Sequence, residues 1–312
     1  MTLISDFKAQ ENIKGQYLCK FKQILKNKNG KDYCSTRLQD HTGTVDGKIW
    51  SLHSGIASFE VDDIVEIEGE VLLYQENLQL SINKIKKAEE TEYDLKRFIP
   101  HTLKDVEALE TELFTFIEGV THPHIKALLE DIFYDESIYK EFLVHSAAKS
   151  VHHAYLSGLL EHTVTVTKLG FNMSALYDGV SRDLVVAGCL LHDIGKLYEL
   201  SNFPKNDYSD EGQLLGHIII GAEIVHDRAS KIADFPKELE MLIKHIILSH
   251  HGEYEYASPK RPKCIEAMIV HLADYTDSKL KMLEEMIQSS PSEEVYAGYS
   301  KILNRNIRKV KL

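Results

Sequence analysis

The chain has 312 residues, with 36 Lys and Arg against 48 Asp and Glu, a formal net charge of −12, and 43% hydrophobic and 27% charged residues. This is the composition of a globular protein long enough for two domains, and the acidic balance argues against a protein that coats nucleic acid over its whole surface while leaving room for a local basic groove. No apolar run approaches the roughly 20 residues of a membrane span, the opening MTLISDFKAQENIKGQY lacks the apolar core of a signal peptide, and Cys19, Cys34, Cys189 and Cys264 form no C-x-x-C pair, so a reduced, cytoplasmic protein without a disulfide framework is expected.

Residues 1–90 read as strands. GQYLCKFKQILKNKNGKDYCSTRLQDHTGTVDGKIW alternates polar and apolar residues, with turn signals at Asn29-Gly30, Thr42-Gly43 and Asp46-Gly47. DDIVEIEGEVLLYQENLQLSINKIKKAE adds two alternating runs around Gln75-Glu76-Asn77. Five short strands with a break after the third predict a small closed barrel, and RLQDHTGTVDGKIW resembles the second and third strands of nucleic-acid-binding OB-folds. Between residues 14 and 37, seven basic side chains (Lys14, Lys20, Lys22, Lys26, Lys28, Lys31, Arg37) accompany one acid, Asp32, with Tyr17, Phe21 and Tyr33 among them. Lysines that follow phosphates and aromatic faces that stack on bases suit a single strand. The nucleic-acid candidates are therefore Tyr17, Lys20, Phe21, Lys22, Tyr33 and Arg37. The competing reading puts Tyr17 and Phe21 inside the barrel and the lysines on a solvated edge.

Residues 91–140 change period, with Leu109, Leu113, Phe116 and Ile117 at helical spacing before His122-Pro123, and read as a helical connector. Residues 141–290 are helical nearly throughout, and 11 of the 16 histidines fall between His145 and His271. The segment 291–312 ends in KILNRNIRKVKL, with five basic residues and no acid, and is expected to be a solvated basic tail. The fold class is thus multidomain α and β: a five-stranded OB-like barrel followed by an all-α bundle.

Five helical segments, SGLLEHTVTV, VVAGCLLHDIGK, LLGHIIIGAEIV, IKHIILSHHGEYE and VHLADYTDSK, each place His or Asp among apolar residues. The candidates His162, His192 with Asp193, His217, His250 and Asp274 are separated by 30, 25, 33 and 24 residues, one helix and a return loop each. Burying six such groups costs several kcal/mol without partners, and a metal supplies the partner. Imidazole and carboxylate ligands suit Mn, Fe, Co, Ni or Zn, and the lack of cysteine argues against a thiolate site. Two consecutive histidines on a helix point about 100 degrees apart, so only one of the pair, His250 by preference, is expected to face the site squarely, and the other, His251, to touch the phosphate or a group behind the ligands. Lys196, four residues after His192 and three after Asp193, lies near the same face, where it could neutralise a phosphate or simply end a helix. His152 and His153 precede the first ligand and stand either at the substrate entrance or in local packing.

LLEHT, LLHDIGK, GHIIIGAEI, LSHHGEY and HLADYTD together resemble the HD phosphohydrolase domain, and joined to an OB-like barrel the chain resembles the YhaM family of bacterial 3′-to-5′ exoribonucleases. That resemblance implies one metal held by His162, His192, Asp193 and Asp274, a second completed by His217 and His250, a bridging Asp193, and catalytic roles for Asp193 and Lys196. It implies two divalent ions, Mn foremost, and hydrolysis of single-stranded RNA, with single-stranded DNA as a second substrate, to nucleoside 5′-monophosphates. Self-association into a homo-oligomer is compatible with a shared channel. Two other readings stand beside it: an HD enzyme for a small nucleotide, and a nucleic-acid-binding regulator whose metal site is secondary.

Overall fold

The computed structural model describes residues 2–51, 58–89, 94–150 and 153–310, and the chain divides into two compact units, Met1–His101 and Thr102–Leu312. In the first, β1 (Asn12–Lys26), β2 (Asp32–Asp40), β3 (Gly43–Ile49), β4 (Ile64–Tyr74) and β5 (Asn77–Lys87) close in the order β1-β2-β3-β5-β4. All neighbours are antiparallel except β3 and β5. Alternation sends Cys34, Leu38, Val45 and Ile49 inward and leaves Arg37 and Asp46 outside, as a pleated strand requires. The buried Asp40 carboxylate accepts from the backbone N–H groups of Ile4 and Thr42, both at 2.8 Å, and so fixes the turn from β2 to β3. The turn expected at Asp46-Gly47 is not there, since both residues lie within β3. Glycine is needed at 47 for space: a Cβ would come within 2.6 Å of Thr36 Oγ1 and 2.7 Å of Ile82 Cδ1.

The second unit contains α1 (Val106–Gly119), α2 (Pro123–Phe133), α3 (Glu136–Val144), α4 (Gly158–Ser174), α5 (Arg182–Leu191), α6 (Lys196–Glu199), α7 (Asp210–Leu214), α8 (Gly216–Ala229), α9 (Lys237–Ser249) and α10 (Ile265–Ser289). Asp105 caps α1 through the N–H groups of Glu107 and Ala108, and His122 caps α2 ahead of Pro123 at its first position, a favourable start because proline has no N–H to leave unpaired. The helices read as a connector are part of the bundle. Leu109, Leu113 and Ile117 belong to one apolar core with Leu160, Leu190, Ile246 and Val270. Their helical periodicity was legible; the partner of their apolar face was not. The basic C-terminal segment also differs from expectation. It forms a hairpin of β6 (Tyr296–Ser300) and β7 (Arg305–Arg308) in which Ile307 is buried. No helix among the described residues is long and apolar enough to cross a membrane.

Candidate metal centre

Five of the six candidate ligands sit at or near helix ends, and this lets their side chains converge. His192 is the C-terminal cap of α5, Asp193 lies in the turn before α6, His217 is in the first turn of α8, and His250 caps α9. His162 comes from the first turns of α4, while Asp274 is inside α10. Around the Asp193 carboxylate, Oδ2 lies 3.3 Å from His162 Nε2 and 3.4 Å from His192 Nε2, and His162 Nε2 is 3.4 Å from Asp274 Oδ1. The other oxygen, Oδ1, lies 3.5 Å from His217 Nε2 and 3.6 Å from His250 Nε2. One carboxylate therefore faces two donor sets.

The tautomers point the same way. Nδ1 of His192 donates to the Cys189 carbonyl (2.7 Å), that of His250 to the Ile247 carbonyl (2.7 Å) and that of His251 to the Tyr256 carbonyl (2.8 Å). Nδ1 of His162 donates to Asp277 (2.7 Å) and that of His217 to Glu199 (2.9 Å). With their Nδ1 atoms engaged, His217 and His250 are left with unpartnered Nε2 atoms, the form in which imidazole binds metal, and the Nε2 atoms of His162 and His192 lie 3.1 Å apart. Asp193 Oδ1, His217 Nε2 and His250 Nε2 are buried side-chain atoms with no hydrogen-bond partner. Each orphaned group costs about 1–3 kcal/mol. A divalent cation would satisfy all three at once, so the residues fit a metal, and the donor chemistry is that of Mn, Fe, Co, Ni or Zn.

Burial pushes the Asp193 carboxyl up, but Lys196 and the surrounding histidines outweigh it and hold the group well below its usual range. Burial pushes His250 well down, which keeps its imidazole neutral. Lys196 Nζ is 2.7 Å from Asp193 Oδ2, and although burial disfavours its charge, that carboxylate raises its pKa.

His250, still helical in its dihedrals, is buried with Nε2 facing Asp193, while His251 joins it and His217 in a group whose nitrogens lie within 4.8 Å of one another. His153 is not at an entrance: it is 1% exposed, with Nε2 2.9 Å from Asp277, behind His162. His152 lies outside the described residues. Two positioning carboxylates went unread in the sequence, Asp277 behind His162 and Glu199 behind His217. Their one signal was spacing, Asp277 three residues after Asp274 and Glu199 three after Lys196.

A cavity of about 500 Å³ opens beside the centre, lined by Asp193, Lys196, His217, His251 and Asp274 together with Tyr208 and Tyr275. That volume falls within the roughly 300–1,000 Å³ of small-molecule sites.

On the barrel, Tyr17 is corrected as a nucleic-acid contact. Its ring is 0% exposed in the barrel core, edge-on to Phe7. The basic side chains are also less free than their sequence density implies. Lys20 pairs with Asp62 (2.8 Å), Lys22 with Glu60 (3.1 Å), Lys14 with Glu68 (2.8 Å) and Arg37 with Asp46 (3.0 Å), acids that β3, β4 and the loop before β4 bring alongside. Phe21 is exposed and sits opposite Arg37. Tyr33 stacks on the exposed Trp50 at 5.1 Å, and Lys48 lies 5.9 Å from the Tyr33 ring. Trp50 and Lys48 were not among the candidates; the signal for them was the KIW ending of the third strand.

Residues 159–279 match the family model described as HD domain, and residues 20–88 match the one described as OB-fold nucleic acid binding domain. The chain joins an OB-fold domain to an HD domain. All six candidate ligands fall inside the HD match. Among solved structures, the second OB-fold domain of replication protein A from Methanococcus maripaludis is similar at 22% identity over 30% of this chain and 98% of that one, with a TM-score of 0.24. The HD domain of the L. monocytogenes phosphodiesterase PgpH is similar at 22% identity over 52% of this chain and 78% of that one, with a TM-score of 0.31. The same domain in complex with cyclic-di-AMP matches at 22% identity over 51% and 76%, with a TM-score of 0.30.

Proposed function

We propose that this protein is a metal-dependent 3′-to-5′ exoribonuclease that hydrolyses single-stranded RNA, and single-stranded DNA as a second substrate, to nucleoside 5′-monophosphates. The observation that carries the metal-dependent chemistry is the Asp193 carboxylate with each oxygen facing its own set of Nε2 donors. His162, His192, Asp193 and Asp274 would hold one divalent ion, and Asp193, His217, His250 and His251 the other. Ions so bound supply charge neutralisation on a phosphate and acidify water for attack on phosphorus. Lys196 adds a side-chain cation at the cavity wall beside Asp193, where it favours a phosphate oxygen. In the reaction, water oxygen joins phosphorus, the bond to the 3′ oxygen of the preceding ribose breaks, and that oxygen takes a proton. The direction and the product are inferred from the motif resemblance to the YhaM family, and the single-stranded polymer from the OB-fold domain with its Tyr33–Trp50 stack.

A small-nucleotide hydrolase is the second reading, favoured by a cavity of about 500 Å³. End-labelled single-stranded RNA and DNA incubated with Mn²⁺, with EDTA, and with Asp193→Asn separate the two. A one-nucleotide ladder from the 3′ end, abolished by EDTA and by the substitution, is expected. Hydrolysis confined to mononucleotides would overturn the exonuclease reading.

A further inference from the structure

The metal centre accounts for the phosphate end of the cavity. The lining also includes Tyr275, Met282 and Ile302, alongside Ser278 and Lys279. Ile302 belongs to the C-terminal hairpin, in the turn between β6 and β7, and is 60% exposed. That turn is held in place. Leu303 N–H donates to Ser300 Oγ at 3.2 Å, Arg305 Nε donates to the Leu303 carbonyl at 2.9 Å, and Tyr299 hydroxyl bonds Asn304. Ile307 and Lys309 are buried below it. On this braced turn Ile302 is presented to the same cavity that Asp193, His217 and Asp274 line. Tyr275, 46% exposed, is the neighbour of Asp274 on α10, and Lys279 lies one turn further on with Nζ 5.2 Å from the Tyr275 ring. Among the described residues no carboxylate pairs with Lys279. Aromatic and aliphatic side chains with a lysine that no carboxylate neutralises, in the same cavity as the candidate metal donors, match a nucleoside joined to a phosphate better than a free phosphate.

We propose that the β6–β7 turn forms the far wall of the substrate pocket, where Ile302, Tyr275 and Met282 hold the nucleoside of the nucleotide whose phosphate meets the metal centre. This rests on the phosphohydrolase reading of that centre and adds the element that selects nucleotides over other phosphates. The basic segment that reads as a loose tail in sequence thereby becomes part of the site.

Calorimetric titration of the full chain with Mn²⁺ present tests it, using adenosine 5′-monophosphate and inorganic phosphate as probes. Ile302→Ala is expected to weaken the nucleotide about tenfold, in line with lost apolar contact in a pocket. Tyr275→Ala is expected to weaken it roughly five- to a hundredfold, in line with lost stacking. Phosphate and Mn²⁺ affinities should stay within twofold in both variants. Unchanged nucleotide affinity, no measurable nucleotide binding by the native chain, or equal losses for nucleotide and phosphate would each overturn the proposal. A native chain that binds the nucleotide through Ile302 and Tyr275 but leaves RNA ends intact would sink the exonuclease reading and keep this one.

Discussion

At the scale of single residues, the converging candidate donors were legible and the carboxylates behind them were not. His162 and Asp274 stand out because a polar group amid a run of apolar helix residues demands a partner. Asp277 gives no such signal: a carboxylate one turn from another on a charged helix reads as solvent-facing. In the fold it is 7% exposed and bridges His162 Nδ1 at 2.7 Å and His153 Nε2 at 2.9 Å. Burial would raise its pKa, but the two histidines reverse that and hold it ionised. Asp277→Asn removes the charge that makes His162 a basic ligand without touching the donor set. Mn²⁺ affinity should fall about 10–100-fold with the far-ultraviolet circular dichroism unchanged. An affinity within twofold of native would show that Asp277 serves only packing.

The elements explain two further placements. Tyr17, Cys19 and Phe21 have the same parity, so simple alternation puts them on one face. The register shift between Cys19 and Phe21 reverses the pattern, as an extra residue in one strand does, leaving Tyr17 inside and Phe21 outside. Likewise, His250 and His251, just past Ser249, both offer nitrogens to a cluster with His217 of α8. Helix ends and bulges depend on pairing partners that a single sequence does not display. The approach of α8 to the α5–α6 turn is equally specific. A Cβ on Gly195 would come 2.0 Å from the His217 carbonyl oxygen and 2.7 Å from Gly221 N, both backbone atoms, so α8 must move. Gly195→Ala should cost about 1–3 kcal/mol of stability, and, because His217 rides on α8, the bound Mn²⁺ should drop by about one ion per chain. Retention of the native stoichiometry would mean that the helices adjust without displacing His217.

Beneath the metal site, Glu161 links several elements of the helical unit. It is 2% exposed, accepts from Tyr155 hydroxyl at 2.8 Å, and lies 3.2 Å from Lys281 and 3.3 Å from Lys104. Burial raises its pKa, yet Thr102, His153, Lys104 and Lys281 together lower it from 4.5 to about 2. A depressed folded-state value means the ionised group stabilises the fold above the unfolded pKa, and that contribution disappears as pH falls from about 4.5 towards 2. At about 1.4 kcal/mol per unit, the loss is about 3 kcal/mol. Urea unfolding in EDTA at pH 7, 4 and 3 should show Glu161→Gln less stable at pH 7 but with a shallower decline below pH 4.5. Parallel declines in the two proteins would assign the acid sensitivity to other carboxylates.

For the whole molecule, the barrel and the bundle have separate apolar cores with no residue in common, which is why the change from period two to period 3.6 was visible along the chain. The boundary itself lies at 101/102 rather than near 90, because Phe98 and Ile99 are buried and the Phe98 carbonyl accepts from Gln39 of β2; an irregular segment carries no period to mark that attachment. Separate cores predict that residues 102–312 fold alone and keep the complete donor set. If the barrel holds the strand, this fragment should cleave a short model phosphodiester with kcat within about twofold of the full chain, while KM for single-stranded RNA rises at least about tenfold through loss of stacking worth about 1–3 kcal/mol per base. The salt dependence of the remaining RNA binding should also become shallower, since fewer phosphates are neutralised. Equal losses on both substrates would remove the barrel from substrate delivery and leave it a role in assembly.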